Sequence, residues 1–212
     1  MKTNITRFLS FTAAACAVVL FSHLSAAAAS ITLPATNQTV CYDTAGVVIN
    51  CTATRQDGAL RMGASWPDPR FSDNGNGTFT DSFTGLVWMS DNTCLKTTST
   101  AGGTIANFLQ ALNAVANLAD GLCGLTDGSV KGAWRIPNIN EANSMYDVKN
   151  NTLAADAPFK NRVSTTYAHI YTSTTYKKDP NQIIYVSASG GANLSCSKTI
   201  ACVYAIIAVR NP

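Results

Sequence analysis

The sequence predicts an α+β domain, mostly β, stapled by disulfides and carried behind an export signal. Three observations predict it. Six cysteines remain once the apolar N-terminus is set aside: Cys41, Cys51, Cys94, Cys123, Cys196 and Cys202. Short runs of β-branched and aromatic residues are separated by Asn-Gly and Gly-rich turns. Only two stretches, near residues 104–119 and 138–148, carry the 3.6-residue periodicity of helices.

The N-terminus reads as a signal peptide spanning 1–29. Lys2 and Arg7 give the positive start, an apolar run extends from Phe8 to Leu24, and Ser25–Ser30 supplies the small residues that signal peptidase accepts. The strongly apolar part is short for a membrane span, which needs about 20 residues. An N-terminal extension would follow over 30–65 and the main domain over 66–212. Loss of Lys2 and Arg7 takes the formal charge from +3 to about +1, without the basic footprint of nucleic-acid binding. No later segment is long and apolar enough to span a membrane.

An even set of cysteines in an exported chain implies disulfides. Spacing favours neighbours. Cys41 and Cys51 flank a hairpin with its turn at Asp43–Gly46, Cys94 and Cys123 tie the ends of a helical stretch, and Cys196 and Cys202 clip a short loop. Each bridge is worth roughly 2–4 kcal/mol. A zinc site is disfavoured, because no C-x-x-C pair occurs and His169 is the only histidine after the signal.

Residues 30–40 read as extended and 52–70 as a loop. The segment Phe71–Asp81 holds Asn74-Gly75 and Asn76-Gly77 between strand formers, the signature of a tight hairpin turn. Leu86–Met89 is a short apolar strand. A helix is expected from Thr104, its cap, to Ala119, with Ile105, Phe108, Leu109, Leu112, Val115 and Ala116 inward. A second helix starts at Asn138, with Glu141 completing a capping box and Ala142, Met145, Tyr146 and Val148 on its inner face. Strands are expected over 169–176, 182–188 and 202–210, the last with Val203, Ala205, Ile207 and Val209 on one face.

These motifs, taken in order, resemble a known family. Arg70-Phe71-Ser72-Asp73-Asn74-Gly75-Asn76-Gly77-Thr78-Phe79-Thr80-Asp81, then Thr84-Gly85-Leu86-Val87-Trp88, resembles the opening of the Lcl C-terminal domain family. Trp134-Arg135-Ile136-Pro137-Asn138-Ile139-Asn140-Glu141-Ala142 is similar to its W-R-L-P-x-x-x-E-L segment. Tyr171–Thr175 and Ala208-Val209-Arg210 match its later motifs loosely, and Gln56-Asp57-Gly58 resembles a segment that precedes the domain in many exported members. The family takes its name from a bacterial collagen-like adhesin. The resemblance implies a C-type-lectin-like fold, shared with formylglycine-generating-enzyme-like proteins: a small, twisted, mixed sheet, two short helices and long irregular loops. It departs at Ala142 for Leu, at Tyr171 and Thr172 for Trp and Ser, and at Ala208 for Pro.

Chemistry-bearing residues are sparse. With one His and one Glu after the signal, no nucleophile-elbow motif accompanies His169, and Glu141 is accounted for as a helix cap. The six cysteines are more simply structural than reactive. No enzyme and no cofactor are therefore expected. Asp73, Asn74, Asn76 and Asp81 could ligate calcium through oxygens, but the EF-hand alternation and distal Glu are missing, and a hairpin turn explains the Asn-Gly pairs without a metal. Trp88 and Trp134 are expected in the core rather than stacked on sugars. Arg135 should hydrogen-bond carbonyls or a carboxylate near the helix start, next to Pro137, and Arg210 should anchor the last strand. The exposed-loop candidate is Tyr176-Lys177-Lys178-Asp179-Pro180-Asn181, an aromatic with two adjacent cations, suited to sulfated or acidic glycans. Ser189–Asn193 is a second loop, with Asn193 as a candidate contact. The expected function is non-catalytic recognition of glycan or host-matrix ligands outside the cytoplasm, in the periplasm, at the cell surface or secreted. The alternative is a structural or protein-interaction module of the envelope. The sequence leaves the oligomeric state open.

Overall fold

The structure, a computed structural model, describes residues 33–98, 102–153, 169–187, 190–200 and 205–212. The expected signal peptide lies outside these residues, as do Val203 and Cys202. Thr32–Pro212 form one compact unit.

The first described element is the expected N-terminal hairpin, β1 (Cys41–Tyr42) and β2 (Val48–Ile49), closed by the Cys41–Cys51 disulfide. Asp43 makes its turn: its carboxylate accepts the N–H groups of Ala45 and Val47, and its carbonyl accepts that of Gly46. Residues 52–70, expected as a loop, contain one helical turn, α1 (Asp57–Leu60). The Gln56-Asp57-Gly58 motif acquires a physical meaning here. The Gln56 side chain bonds both backbone groups of Tyr42, Asp57 accepts from the Thr36 hydroxyl, and Gly58 lies so near β1 that an added Cβ would stand 2.4 Å from the Val40 carbonyl oxygen.

The main sheet is antiparallel, in the order β11-β5-β4-β3, built from β3 (Phe71–Asp73), β4 (Thr78–Asp81), β5 (Val87–Met89) and β11 (Val209–Arg210). The β3–β4 turn carries the two Asn-Gly pairs, and Gly75 and Gly77 both have positive φ. Gly77 is needed for a second reason: a Cβ there would lie 2.2 Å from the Gly124 carbonyl oxygen. The buried Arg70 side chain holds this hairpin together. Its Nε and Nη2 donate to the two oxygens of the equally buried Asp81, at 2.8 and 2.7 Å, and Nη1 donates to the Ser144 carbonyl at 2.8 Å. The guanidinium also lies 4.6 Å from the Trp66 ring and 4.9 Å from Phe71.

Helix α2 runs from Phe108 to Ala116, shorter than the expected 104–119. Its cap is Asn107, whose side chain accepts from the Gln110 N–H, and not Thr104. Ile105 lies before the helix and bridges to Thr97. The inward face is Ala111 and Val115, with Leu118 beyond the end; Leu109 is 65% exposed and Ala116 is exposed too. Helix α3 (Ile139–Ser144) has the expected capping box at Asn138 and Glu141. Ala142 and Met145 are buried beneath it, whereas Tyr146 enters the short hairpin β6 (Tyr146–Asp147) with β7 (Thr152–Leu153), and Val148 is exposed.

A third sheet takes the order β10-β9-β8, from β8 (His169–Ile170), β9 (Gln182–Ser187) and β10 (Asn193–Ser197). Only the first two residues of the expected strand 169–176 form a ladder, although Thr175 bridges to Ile183. β10 begins at the last residue of the expected Ser189–Asn193 loop and is not among the expected strands. The expected strand 202–210 narrows to a bridge at Ala205 and the ladder at Val209–Arg210. Several small sheets thus stand in place of a single one. Among the described elements every ladder is antiparallel, and parallel pairing is confined to single bridges such as Ile170–Ala205.

Alternation along the chain divides the core in two. Ala205, Ile207 and Val209 join Trp88, Phe71, Ile170, Val186, Ala142 and Met145 on one side. Ile206 and Ala208 join Val87, Met89, Trp134, Ile136, Tyr171, Ala111 and Val115 on the other. The last strand is therefore buried on both faces, which is why it reads Ala-Ile-Ile-Ala-Val with no polar interruption. One core packs α3 and the other packs α2, with the sheet residues between them. The Cys94–Cys123 disulfide spans the α2 region as expected, and Cys196 is disulfide-bonded, its expected partner Cys202 lying outside the described residues.

The contrast between two ion pairs yields a prediction. Removing Asp81 strands a buried guanidinium, so Asp81→Ala should cost about 3–5 kcal/mol. Arg135 and Glu141 also form a two-point pair, but the Arg135 side chain is 41% exposed, so Arg135→Ala should cost about 0–1 kcal/mol through the charge pair. Urea denaturation of both variants checks this. Equal losses would show that burial does not set the strength of these pairs.

Candidate functional site

The loop at Tyr176–Asn181 is held from within. The Asp179 N–H donates to the Tyr176 carbonyl at 3.1 Å, the Gln182 N–H to the Asp179 carbonyl at 2.9 Å, and the Tyr176 N–H to the Gln182 carbonyl at 2.9 Å. The Asp179 carboxylate accepts from the Gln182 side chain first and from the Asn181 N–H, and these bonds hold it below its ordinary pKa. The acidic residue of the loop is thus bound up inside it. Lys177 and Lys178 are exposed, and no hydrogen bond or ion pair engages either of them among the described residues.

The β9–β10 ladder sets Ser195 opposite Ile184 and Asn193 opposite Val186. Tyr176 closes over this strip, so a shallow cleft of about 280 Å³ forms between Tyr176, Ile184, Asn193, Leu194 and Ser195. The structure therefore brings together two residues from separate expected loops, Tyr176 and Asn193. Leu194 is exposed and supplies an apolar wall. Sequence reasoning missed Lys198, which the chain returns to the same loop: its N–H donates to the Asn181 carbonyl at 2.8 Å and its Nζ to the Thr175 hydroxyl at 2.9 Å. No periodic signal marks Lys198, because it sits beyond β10 and is placed by that strand's pairing. A wider cleft of about 410 Å³ lies elsewhere, between the Asn37–Thr39 segment, Arg61 and Lys149.

The oxygen-bearing residues of the β3–β4 hairpin do not converge. Asp81 spends both oxygens on Arg70 and also accepts from Phe83 N–H and the Thr84 hydroxyl. Asp73 accepts from the Gly75 N–H at the opposite end of the hairpin, the Asn74 amide bonds the Thr78 and Thr80 hydroxyls, and Asn76 accepts from the Thr78 hydroxyl. Among the described residues no three His, Cys, Asp or Glu side chains gather as a metal-binding group.

The remaining motif residues frame the domain. Trp88 and Trp134 are buried; the Trp134 Nε1 donates to the Ser129 hydroxyl at 2.9 Å, and Arg210 lies 5.4 Å over its ring while reaching Asp127 at 3.3 Å. Arg135 meets Glu141 through two bonds of 2.7 Å, just after the buried Pro137 the chain enters α3, and the Asn138 N–H adds a third bond to Glu141 at 2.8 Å. Burial alone works to raise the Glu141 pKa, but the Arg135 and Asn138 bonds outweigh it and hold the carboxyl below its ordinary value. His169 packs against Tyr185 with ring centres 4.9 Å apart, and burial lowers its pKa.

With this geometry in place the family can be read. The Lcl C-terminal domain family model matches residues 77–210. The chain belongs to the Lcl C-terminal domain family. The match begins inside the β3–β4 turn, so Arg70 precedes it while Asp81, the other half of the buried pair, falls within it. No curated protein and no solved structure matches the chain.

Two of the shifted groups, His169 and Glu141, predict a stepped acid response. His169 has its pKa lowered on folding, so its contribution is complete above the ordinary value of 6.5 and is lost as pH falls through the folded pKa. Glu141 is likewise lowered, so its contribution is complete above 4.5 and is lost at still lower pH. Urea midpoints measured from pH 7.5 to 3 should fall in two stages. His169→Gln should flatten the first stage and Glu141→Gln the second; a slope unchanged by either variant would refute the assignment.

Proposed function

We propose that this protein is a non-catalytic, exported binding domain that recognises acidic or sulfated glycans, of the kind found on host or matrix surfaces, through the Tyr176–Asn181 loop and its neighbouring cleft. One observation carries the reading: Lys177 and Lys178 project from a loop closed by its own backbone bonds, with no acidic partner among the described residues, beside a cleft whose wall is aromatic and apolar. Sulfate and carboxylate groups are bound by such unneutralised cations, and an aromatic ring with amide and hydroxyl groups suits the sugar ring beside them. The adhesin after which the family is named supports the reading by analogy only, since a fold does not fix a function. The disulfides are compatible with export, and no helix among the described residues is long and apolar enough to cross a membrane. We also read the architecture as C-type-lectin-like, supported by short helices on either side of small sheets with long connecting loops.

The test is a glycan array with the oxidised protein, including heparin-like and fucoidan-like polymers, with and without calcium. Binding should weaken as salt rises, because each displaced counterion contributes to affinity. Lys177→Ala/Lys178→Ala should reduce it by about tenfold or more, the scale of losing charge-assisted hydrogen bonds. Silence across the array from a protein with verified disulfides would reject the proposal and turn attention to a protein-interaction module of the envelope. Calcium-dependent binding would restore the β3–β4 turn as a candidate ligand site. The exposed apolar side chains of the N-terminal hairpin are the observation that favours the protein-interaction reading.

A further inference from the structure

The N-terminal hairpin has two edges, and the chain treats them differently. On the β1 edge, the Tyr42 N–H donates to the Gln56 Oε1 at 3.0 Å and the Tyr42 carbonyl accepts from the Gln56 Nε2 at 2.7 Å. One side-chain amide takes the place of a neighbouring strand. The other edge belongs to β2. Tyr42 stands opposite Val48 and Cys41 opposite Ile49, and the Asp43 N–H bonds the Val47 carbonyl at 2.9 Å. In an antiparallel ladder bonded and non-bonded pairs alternate, so Val48 turns its N–H and carbonyl outward, away from β1. Neither group has a partner among the described residues.

This open edge is also apolar. Val47 is 59% exposed, Val48 63% and Ile49 37%, and Tyr42, which shares a face with Val48, is 49% exposed. Natural sheets guard free edges with charge, proline or a bulge. The run Thr44-Ala45-Gly46-Val47-Val48-Ile49-Asn50 contains no charge and no proline.

We propose that β2 is a dimerisation edge: it pairs antiparallel with β2 of a second copy of this chain about a two-fold axis at Val48. The sequence is self-complementary in that register. Val48 faces its own counterpart and exchanges two backbone hydrogen bonds with it, while Val47 meets Ile49 of the other copy in both directions. Sliding the register by one bonded pair sets Val48 against Gly46 or Asn50 and leaves one apolar cross-strand pair, Val47–Val47 or Ile49–Ile49, in place of three. No like charges are brought together. The usable edge is short, bounded by the Asp43–Gly46 turn and by the Cys51 disulfide. A foreign strand laid along it would find one outward-facing residue and gain a single edge. A second copy uses each apolar side chain twice and converts two marginal two-stranded hairpins into one four-stranded sheet.

Single-cysteine variants of the oxidised protein test the register. Directly opposed residues of a bonded antiparallel pair have Cα atoms about 5.5 Å apart, within disulfide reach. Val48→Cys should therefore yield a covalent dimer in a glutathione redox buffer, and Val47→Cys, opposed to Ile49 and not to itself, should yield little. Sedimentation of the wild type should show a concentration-dependent dimer that Val48→Lys converts to monomer, with an unchanged urea midpoint showing that the fold survives. Equal cross-linking of both cysteine variants, with native disulfides confirmed by mass spectrometry, would overturn the register. A wild type that stays monomeric at every concentration would overturn the dimer, as would a monomer that instead accepts an unrelated apolar strand peptide at this edge.

Discussion

The segment Ala205–Arg210 is the constraint on which the rest of this domain depends. It has no solvent-facing side until Arg210, so every neighbour is fixed by packing or by a backbone bond. Toward β5 it pairs through Val209–Trp88 and Arg210–Val87, and the Met89 N–H reaches the Ala208 carbonyl. On its other edge, Arg135 and Val209 exchange both backbone bonds, at 3.0 and 2.9 Å, and Ala205 bonds His169 and Tyr171. The W-R-I-P segment, the main sheet and the third sheet are joined through these few residues. An extended chain buried on both faces must satisfy its own polar groups internally, because an unpaired buried amide costs as much as a lost hydrogen bond. The last strand achieves this by being shared among three partners that are distant in sequence.

The same logic explains why the motif residues occur where they do. Arg70 and Asp81 are both inaccessible, and a buried ion pair is tolerated only when its hydrogen bonds are complete. Here the guanidinium serves Asp81 twice and the Ser144 carbonyl once, which fastens the first hairpin to the end of α3. Asp81 in turn accepts from Phe83 and Thr84 and so shapes the turn into β5. Arg135 repeats the device nearer the surface, where it locks Glu141 into the capping box of α3. Two arginine–carboxylate forks thus orient α3 from both ends.

What was legible in the sequence follows from which interactions are local. The Asp43 turn, the Asn-Gly hairpin, the Asn138–Glu141 box and the first two disulfides depend on residues a few positions apart, or on cysteines with near neighbours, and they stand where expected. The start of α2 was misread because Thr104 and Asn107 are both competent caps; the backbone of 104–105 is instead drawn onto Lys96, and the helix begins only after that contact ends. Leu109 fits the helical period yet faces solvent, since the small Ala111 is what permits close packing. β10 was missed because Asn-Leu-Ser-Cys-Ser, although it alternates polar and apolar, holds no β-branched or aromatic residue, and its pairing with β9 supplies what its composition does not. For the candidate site, Tyr176 and Asn193 were named from their loops, but their meeting across the β9–β10 strip is a product of register, as is the return of Lys198 to the same loop.

The division between packed and unpacked residues also bears on function. The family motifs are consumed by the fold: Trp88, Trp134, Arg70 and Asp81 are buried, and Glu141 is held between Arg135 and the backbone. Side chains committed in this way are withdrawn from the surface, so the recognition we propose falls to positions outside the motifs. Lys177, Lys178 and the cleft beside Tyr176 are such positions, supported by β9 and by loop bonds that need no particular side chain at 177 or 178. The scaffold therefore leaves these two positions free to change without loss of the fold. A binding loop can diverge in this way while the strands beneath it keep their register, because its own geometry rests on backbone bonds.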